Sequence, residues 1–229
     1  MPVLPGFPPI DVTLRRSARS KRFSLRVRAT DGRVTLSLPL RARESEGMAF
    51  VAAQEGWIRN ALSKRKVPAM IAFGAQIPFE GQLRTLVQGT GRSIRLEGDS
   101  LFVPGDPMQV QARVKAWLKV RARDRLVAAS DHYAAAVGRK LTRITLRDTR
   151  SRWGSCTADG SLMYSWRLIM APPSVLNYVA AHEVAHLLEM NHSDRFWAVV
   201  TQLYPNWQAE RAWLRSHGTA LQGIAFDTD

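Results

Sequence analysis

Two of the chain's five histidines stand four positions apart, in Ala181-His182-Glu183-Val184-Ala185-His186. On a helix, residues i and i+4 lie one turn apart on the same face. Their imidazoles can then converge on one metal ion. Glu183 starts in another direction but stays close enough to act on water activated there. This is the HExxH arrangement of zinc hydrolases. With 5 His and 8 Glu in 229 residues, random ordering would produce it about 0.004 times per chain, so structural context has to decide its meaning. The competing reading is two core histidines satisfied by hydrogen bonds. It would bury two imidazoles and a carboxylate on one apolar helix, which is costly.

A hydrolytic zinc site uses three protein ligands and leaves a fourth position open. Glu189 falls on the His182 stripe but roughly 10 Å along the axis at about 1.5 Å per residue, too far to share an ion with both histidines. His192 is the better third ligand if the helix ends before it. Asn191 can take the left-handed conformation that ends helices, and Ser193 can cap the next one. The His182-to-His192 spacing of ten matches the metzincin pattern. Glu189 occupies the position of that pattern's glycine and no Met-turn follows, so the chain is not read as a metzincin. The expected set is therefore His182, His186 and His192 as ligands to Zn2+, with Glu183 catalytic. In such a set zinc activates water and polarises a carbonyl. Glu183 takes the water proton and delivers it to the leaving amine of a protein or peptide substrate.

Other residues admit a chemical and a bland reading. Ser155 or Cys156 could be a nucleophile with a distant His as base, but a lone Cys is usually a small hydrophobe. Arg152 could meet substrate or pair with a carboxylate. Tyr164 and Tyr204 could donate to an oxyanion. Asp194 could support a ligating His or serve as a first-turn helix charge. His132 and His217 read as plain helix residues.

The elements that must position these groups follow from periodicity. Val175, Leu176, Val179, Leu187 and Leu188 give the HExxH segment an apolar side, and Pro172-Pro173-Ser174 opens its helix. Leu141–Leu146 and Ser161–Leu168 read as strands, with a loop between them. The second is a candidate edge for aligning an extended peptide. Asp106-Pro107 opens an earlier helix that Gly138 stops. Ser193-Asp194 and Asn206 start two terminal helices. Upstream, Phe23–Arg28 and Val34–Leu38 alternate as a hairpin. Residues 44–66 read as one helix, and glycines separate short strands over 70–104. The expected fold is α+β: a zincin-like catalytic lobe, with its active-site helix packed on a small sheet, preceded by a basic β-rich lobe with one helix. The expected divisions are a basic N-terminal arm (1–19), the β-rich lobe (20–105), the metallopeptidase lobe (106–217) and a C-terminal tail (218–229).

Composition adds charge. There are 33 Lys+Arg against 19 Asp+Glu, a net +14. Residues 1–70 hold 14 basic and 5 acidic residues, 71–140 hold 11 and 6, and 141–229 hold 8 and 8. The excess precedes the HExxH segment and suits an anionic partner such as nucleic acid. Arg outnumbers Lys 27 to 6, so compositional bias is the competing explanation. One Cys excludes an intramolecular disulfide framework. Met1–Pro9 lacks a signal-peptide pattern, and Leu168–Ala181 is too short and proline-broken to cross a membrane. A cytoplasmic protein without a membrane partner is expected.

Ser151-Arg-Trp-Gly-Ser-Cys156, Trp166-Arg-Leu-Ile-Met-Ala-Pro172, Tyr178-Val-Ala-Ala-His-Glu-Val-Ala-His186, Met190-Asn-His-Ser193 and Phe196-Trp197 together resemble the YgjP-like metallopeptidase family. The resemblance extends over about residues 20–217. It implies zinc on His182, His186 and His192 with Glu183 catalytic. More distant SprT-like relatives act on proteins crosslinked to DNA, which makes the basic half suggestive. Two other function classes remain open at this stage: a nucleic-acid-associated protein with a zinc site, and a zinc hydrolase of non-peptide amides.

Overall fold

The computed structural model describes residues 2–6, 8–28, 32–63, 71–149 and 151–226. The chain divides into two compact units, 1–68 and 69–229.

The first unit contains β1 (Val3–Leu4), β2 (Ile10–Ser17), β3 (Ser24–Val27), β4 (Val34–Pro39), α1 (Glu44–Ala53) and α2 (Glu55–Ser63). Its sheet runs β1-β2-β4-β3. The expected hairpin forms as β3 against β4, antiparallel. The expected N-terminal arm does not: β2 pairs in parallel with β4 and buries Ile10 and Val12. Ile10, Val12 and Leu14 alternate with polar residues, which is the period of a half-buried strand. The single helix expected over 44–66 is two, broken at Gln54, whose N–H donates to Val51 O (3.0 Å). Lys64-Arg65-Lys66 lies outside the described residues. Val12, Val34, Leu36, Leu38, Val51 and Ile58 form this unit's core.

The second unit contains β5 (Gln76–Phe79), β6 (Gln82–Gly89), β7 (Arg95–Glu97), β8 (Ser100–Pro104), α3 (Val110–Ala136), β9 (Arg143–Arg147), β10 (Gly154–Cys156), β11 (Ser161–Ser165), a 3-10 turn (Trp166–Met170), α4 (Pro173–Ala185), α5 (Asp194–Leu203) and α6 (Trp207–Gly223). Asp106 caps a further 3-10 turn ahead of α3, its Oδ1 accepting from Met108 N–H (2.7 Å). The buried residues of α3 include Val110, Val114, Leu118, Ala122, Leu126 and Ser130. They recur every four positions, one helix face.

That face shares one core with Leu86, Leu101 and Val103 of β6 and β8 and with Val175 and Val179 of α4. The strands over 76–104 therefore belong with the helices that follow, not with the basic lobe, and the expected division at 105/106 is replaced by one near 68. The expected C-terminal tail also belongs here: α6 runs to Gly223, and Leu221 and Phe226 are buried. Arg167, 2% exposed, ties this end down. Its Nε and Nη2 donate to Asp148 (2.6 and 3.1 Å) and its Nη1 to the carbonyls of Leu221 and Ile224 (3.0 and 2.8 Å). A buried charge persists where every guanidinium nitrogen is hydrogen-bonded in this way.

The small sheet runs β10-β11-β9. β11 pairs antiparallel with β10 and in parallel with β9. It is central, so the segment 161–168 offers no edge to a peptide. Its last residues instead form the 3-10 turn.

A two-residue turn joins β5 to β6, with Glu80 at φ 50 and Gly81 at φ 79, the left-handed pair that tight hairpins require. Glu80 N–H donates to Ile169 O (2.8 Å) and Gly81 N–H to Met170 O (3.3 Å). A Cβ at Gly81 would come within 2.9 Å of Pro172 Cα. The turn thus grips the segment that leads into α4. No described helix is long and apolar enough to cross a membrane.

Candidate metal centre

α4 carries His182 and Glu183 in its last turn, and His186 is its C-cap. The helix ends sooner than the sequence led one to expect. Leu187 N–H and Leu188 N–H turn back to Val184 O and Ala185 O (2.9 and 3.0 Å). Asn191 does not take the left-handed conformation expected of it, since Glu80 is the one non-glycine with positive φ among the described residues. Its side chain makes the turn instead, Oδ1 accepting from Ser193 N–H (3.1 Å). An early helix end plus an Asn side-chain turn returns His192 to the helix.

The nitrogens of His182, His186 and His192 lie within 4.8 Å of one another. Nε2 of His192 is 3.2 Å from Nε2 of His182. Two Zn–N bonds of about 2.05 Å at a tetrahedral angle place their nitrogens about 3.3 Å apart. His186 Nδ1 sits 3.0 Å from Glu189 O. A carbonyl only accepts, so Nδ1 carries the hydrogen and the Nε2 lone pair is left for an ion. His182 Nδ1 is buried with no hydrogen-bond partner among the described residues. Burial holds the His182 ring neutral, its pKa pushed down to about 3, with His186, His192 and Arg211 adding repulsion. His186 is lowered as well, mainly by burial. Three imidazoles facing one point are the donor set zinc takes.

Phe196 packs against all three rings, at centroid distances of 4.9, 4.4 and 4.8 Å to His182, His186 and His192. Trp197 lies 5.8 Å from His182 and stacks on Trp207 at 4.3 Å, with Arg211 over its ring. Tyr178, one turn before His182, adds a ring at 6.0 Å. These aromatics hold the imidazoles in place. Tyr178 was legible as position i−4 from His182. The part played by Phe196 and Trp197 depends on how α5 packs and was not.

Glu183 is 5% exposed. Burial pushes its carboxyl up to about 8, partly opposed by the positive charge of Arg152. Its neighbour is Gly154 of β10, where a Cβ would lie 2.5 Å from Glu183 Oε1 and 2.6 Å from Cγ. Gly154 has no positive φ; glycine is needed there for close approach, a role the sequence alone did not reveal. The preceding Trp153 is wedged against Gly218 of α6, where a Cβ would meet Trp153 Cζ2 at 2.9 Å. β10 is thus pressed between α6 and the glutamate.

The remaining candidates separate clearly. Tyr164 is fully buried and shares a hydrogen bond with Ser130 Oγ (2.9 Å), so its hydroxyl is occupied in the core. Tyr204 lies behind Tyr178, ring centroids 6.4 Å apart. No hydrogen bond joins Ser155 or Cys156 to a histidine among the described residues. Burial, Glu183 and Asp159 push the Cys156 thiol up to about 11, the reverse of an activated thiolate. Asp194 sits in the first turn of α5. His217 stacks on Trp213 at 4.7 Å.

No curated protein matches the chain significantly. A solved structure, the metallopeptidase zymogen abylysin of Pyrococcus abyssi, aligns at 17% identity and a TM-score of 0.37, over 44% of this chain and 99% of that one. The YgjP-like metallopeptidase domain matches residues 21–217, most of both units and the whole metal centre. By that match the chain belongs to the YgjP-like metallopeptidase family.

Proposed function

We propose that the protein is a zinc-dependent endopeptidase in which His182, His186 and His192 hold the ion and Glu183 is the general base. The observation that carries this reading is the convergence of three imidazoles within 4.8 Å beside a buried carboxylate. A closed structural zinc would have four protein ligands and no need of that carboxylate. Zinc bound there supplies Lewis-acid activation of water and of the scissile carbonyl. Glu183 takes the proton of the attacking water on its carboxylate and passes it to the departing amine. Phe196 and Trp197 exclude bulk water from one side of the imidazoles. β10 replaces β11 as the aligning edge. Its outer side has no strand partner among the described residues, and it runs beside Glu183, so an extended peptide added there is presented to the carboxylate.

Metal analysis tests the ligand set. The wild-type protein is expected to hold one zinc per chain and to lose peptidase activity on chelation. His192→Ala is expected to weaken zinc at least about a hundredfold, beyond what loss of a supporting hydrogen bond does. Full zinc content and activity in His192→Ala would overturn the assignment.

A second reading, recruitment by nucleic acid, has one observation in its favour. With Val12, Leu14, Leu25 and Leu36 packed in the first unit's core, the opposite sheet face carries Thr13, Arg15, Ser24, Arg26, Thr35 and Ser37, paired across the strands. Arg15 and Arg26 are exposed. Binding of duplex DNA is expected to fall steeply with salt and to weaken about tenfold in Arg15→Glu/Arg26→Glu. Absence of binding at low salt would sink this reading.

A further inference from the structure

A groove of about 320 Å³ opens beside His186, between the end of α3, the β10–β11 turn and the loop after α4. Its walls are preformed. Thr142 N–H donates to Gly160 O (3.1 Å) and Thr142 Oγ1 to Asp159 O (2.5 Å), which stitches the α3–β9 link to the β10–β11 turn. Gly160, at φ 82, takes the left-handed conformation of that turn, and a Cβ there would crowd Thr142 Oγ1 at 3.2 Å.

Two cations, Arg139 and Lys140, line the groove, and both are exposed. Neither has an ion-pair partner among the described residues. The one acid in the lining, Asp159, is turned into its own turn. Its Oδ1 accepts from Thr157 Oγ1 (2.5 Å) and its Oδ2 from Ser161 Oγ (2.7 Å). It makes no ion pair with Arg139 or Lys140 among the described residues, and two cations against one carboxylate leave the lining net positive. Leu188 and Met190, also in the lining, leave 40% and 53% of their surface exposed. The groove therefore offers exposed apolar surface and net positive charge, with His186 of the metal centre in its lining.

We propose that this groove is a specificity pocket for a substrate side chain near the scissile bond, and that it selects glutamate: methylenes against Leu188 and Met190, carboxylate between Arg139 and Lys140. The inference rests on the peptidase reading and names the substrate class of that same site. Glutamate has two methylenes to lay against Leu188 and Met190, and aspartate has one. A lysine side chain meets like charge.

The test uses zinc-loaded full-length protein and a peptide library, with wild type compared against Arg139→Glu/Lys140→Glu. Wild type is expected to enrich glutamate at one fixed position relative to the cleaved bond. The double variant is expected to lower the Glu-over-Lys ratio of kcat/KM at that position about tenfold or more, as reversal of two partly exposed charges would. Zinc content and cleavage of peptides neutral at that position should stay within about threefold. An unmoved Glu-over-Lys ratio overturns the pocket and leaves the peptidase reading intact. If zinc-loaded wild type cleaves nothing, the peptidase reading falls. Binding of the same Glu and Lys peptides to Glu183→Gln, with and without the charge reversal, then decides the pocket alone: a glutamate preference abolished by the reversal supports it, and a preference unchanged or absent overturns it.

Discussion

Glu183→Gln is expected to keep one zinc per chain and to lose at least about a thousandfold in kcat/KM on unfolded protein, within the range general acid–base groups supply. Gln has the same shape and sits in the same space against Gly154. The three imidazoles keep their mutual geometry, and the His186–Glu189 hydrogen bond is untouched. What disappears is the group that accepts a proton. Glu183 is 5% exposed, so bulk water has little access with which to replace it. The loss should fall in kcat, because proton transfer belongs to the transition state and not to substrate binding. Zinc content and steady-state kinetics on the same preparation decide the matter. Activity within about tenfold of wild type at full zinc occupancy would remove Glu183 from the mechanism.

Gly154→Ala is expected to lower kcat about a hundredfold with zinc retained, the cost of displacing a reacting group by about 1 Å. The added methyl would stand 2.5, 2.6 and 2.7 Å from Oε1, Cγ and Cδ of Glu183, closer than carbon atoms approach. One of the two must move. β10 is held from behind by Trp153 against α6 and along its length by β11. The glutamate side chain therefore yields. The ligands are affected less, because the strain falls on a residue outside the three-histidine set. A kcat within about threefold of wild type would show that β10 gives way instead. Paired with Glu183→Gln, this variant separates having the carboxylate from having it in the right place.

These two residues also mark where sequence reading succeeds and where it stops. The His182–His186 spacing and the adjacent Glu183 are local facts, encoded within one helical turn, and needed no knowledge of the fold. His192 was reachable through spacing, although the turn that returns it uses the Asn191 side chain and an early helix end instead of a left-handed backbone. Gly154 was visible as a residue but not as a contact, because its meaning lies in how close β10 comes to α4. The same limit explains the larger misplacements. β2 reads as an arm from sequence although Ile10, Val12 and Leu14 alternate, since its partner β4 is about twenty residues away and parallel. The strands over 76–104 were grouped with the basic half by charge and glycine content. Their allegiance is set by which core Leu86, Leu101 and Val103 enter, and side-chain burial against α3 is a long-range property. Ser161–Leu168 read as one strand because apolar residues continue through Leu168. The chain turns at Trp166 all the same, and β11 ends up between two partners.

The grip of the β5–β6 turn on the segment before α4 bears on when the site comes into being. Glu80 and Ile169, joined by a backbone hydrogen bond, stand 89 positions apart in the chain. A contact across such a span forms late, because the entropy of closing so long a loop has to be overcome before the contact returns anything. The helix bearing His182, Glu183 and His186 is thus expected to be seated after the chain from β5 to the 3-10 turn has collapsed around α3. On that order the metal centre would be completed only once most of the second unit is already packed.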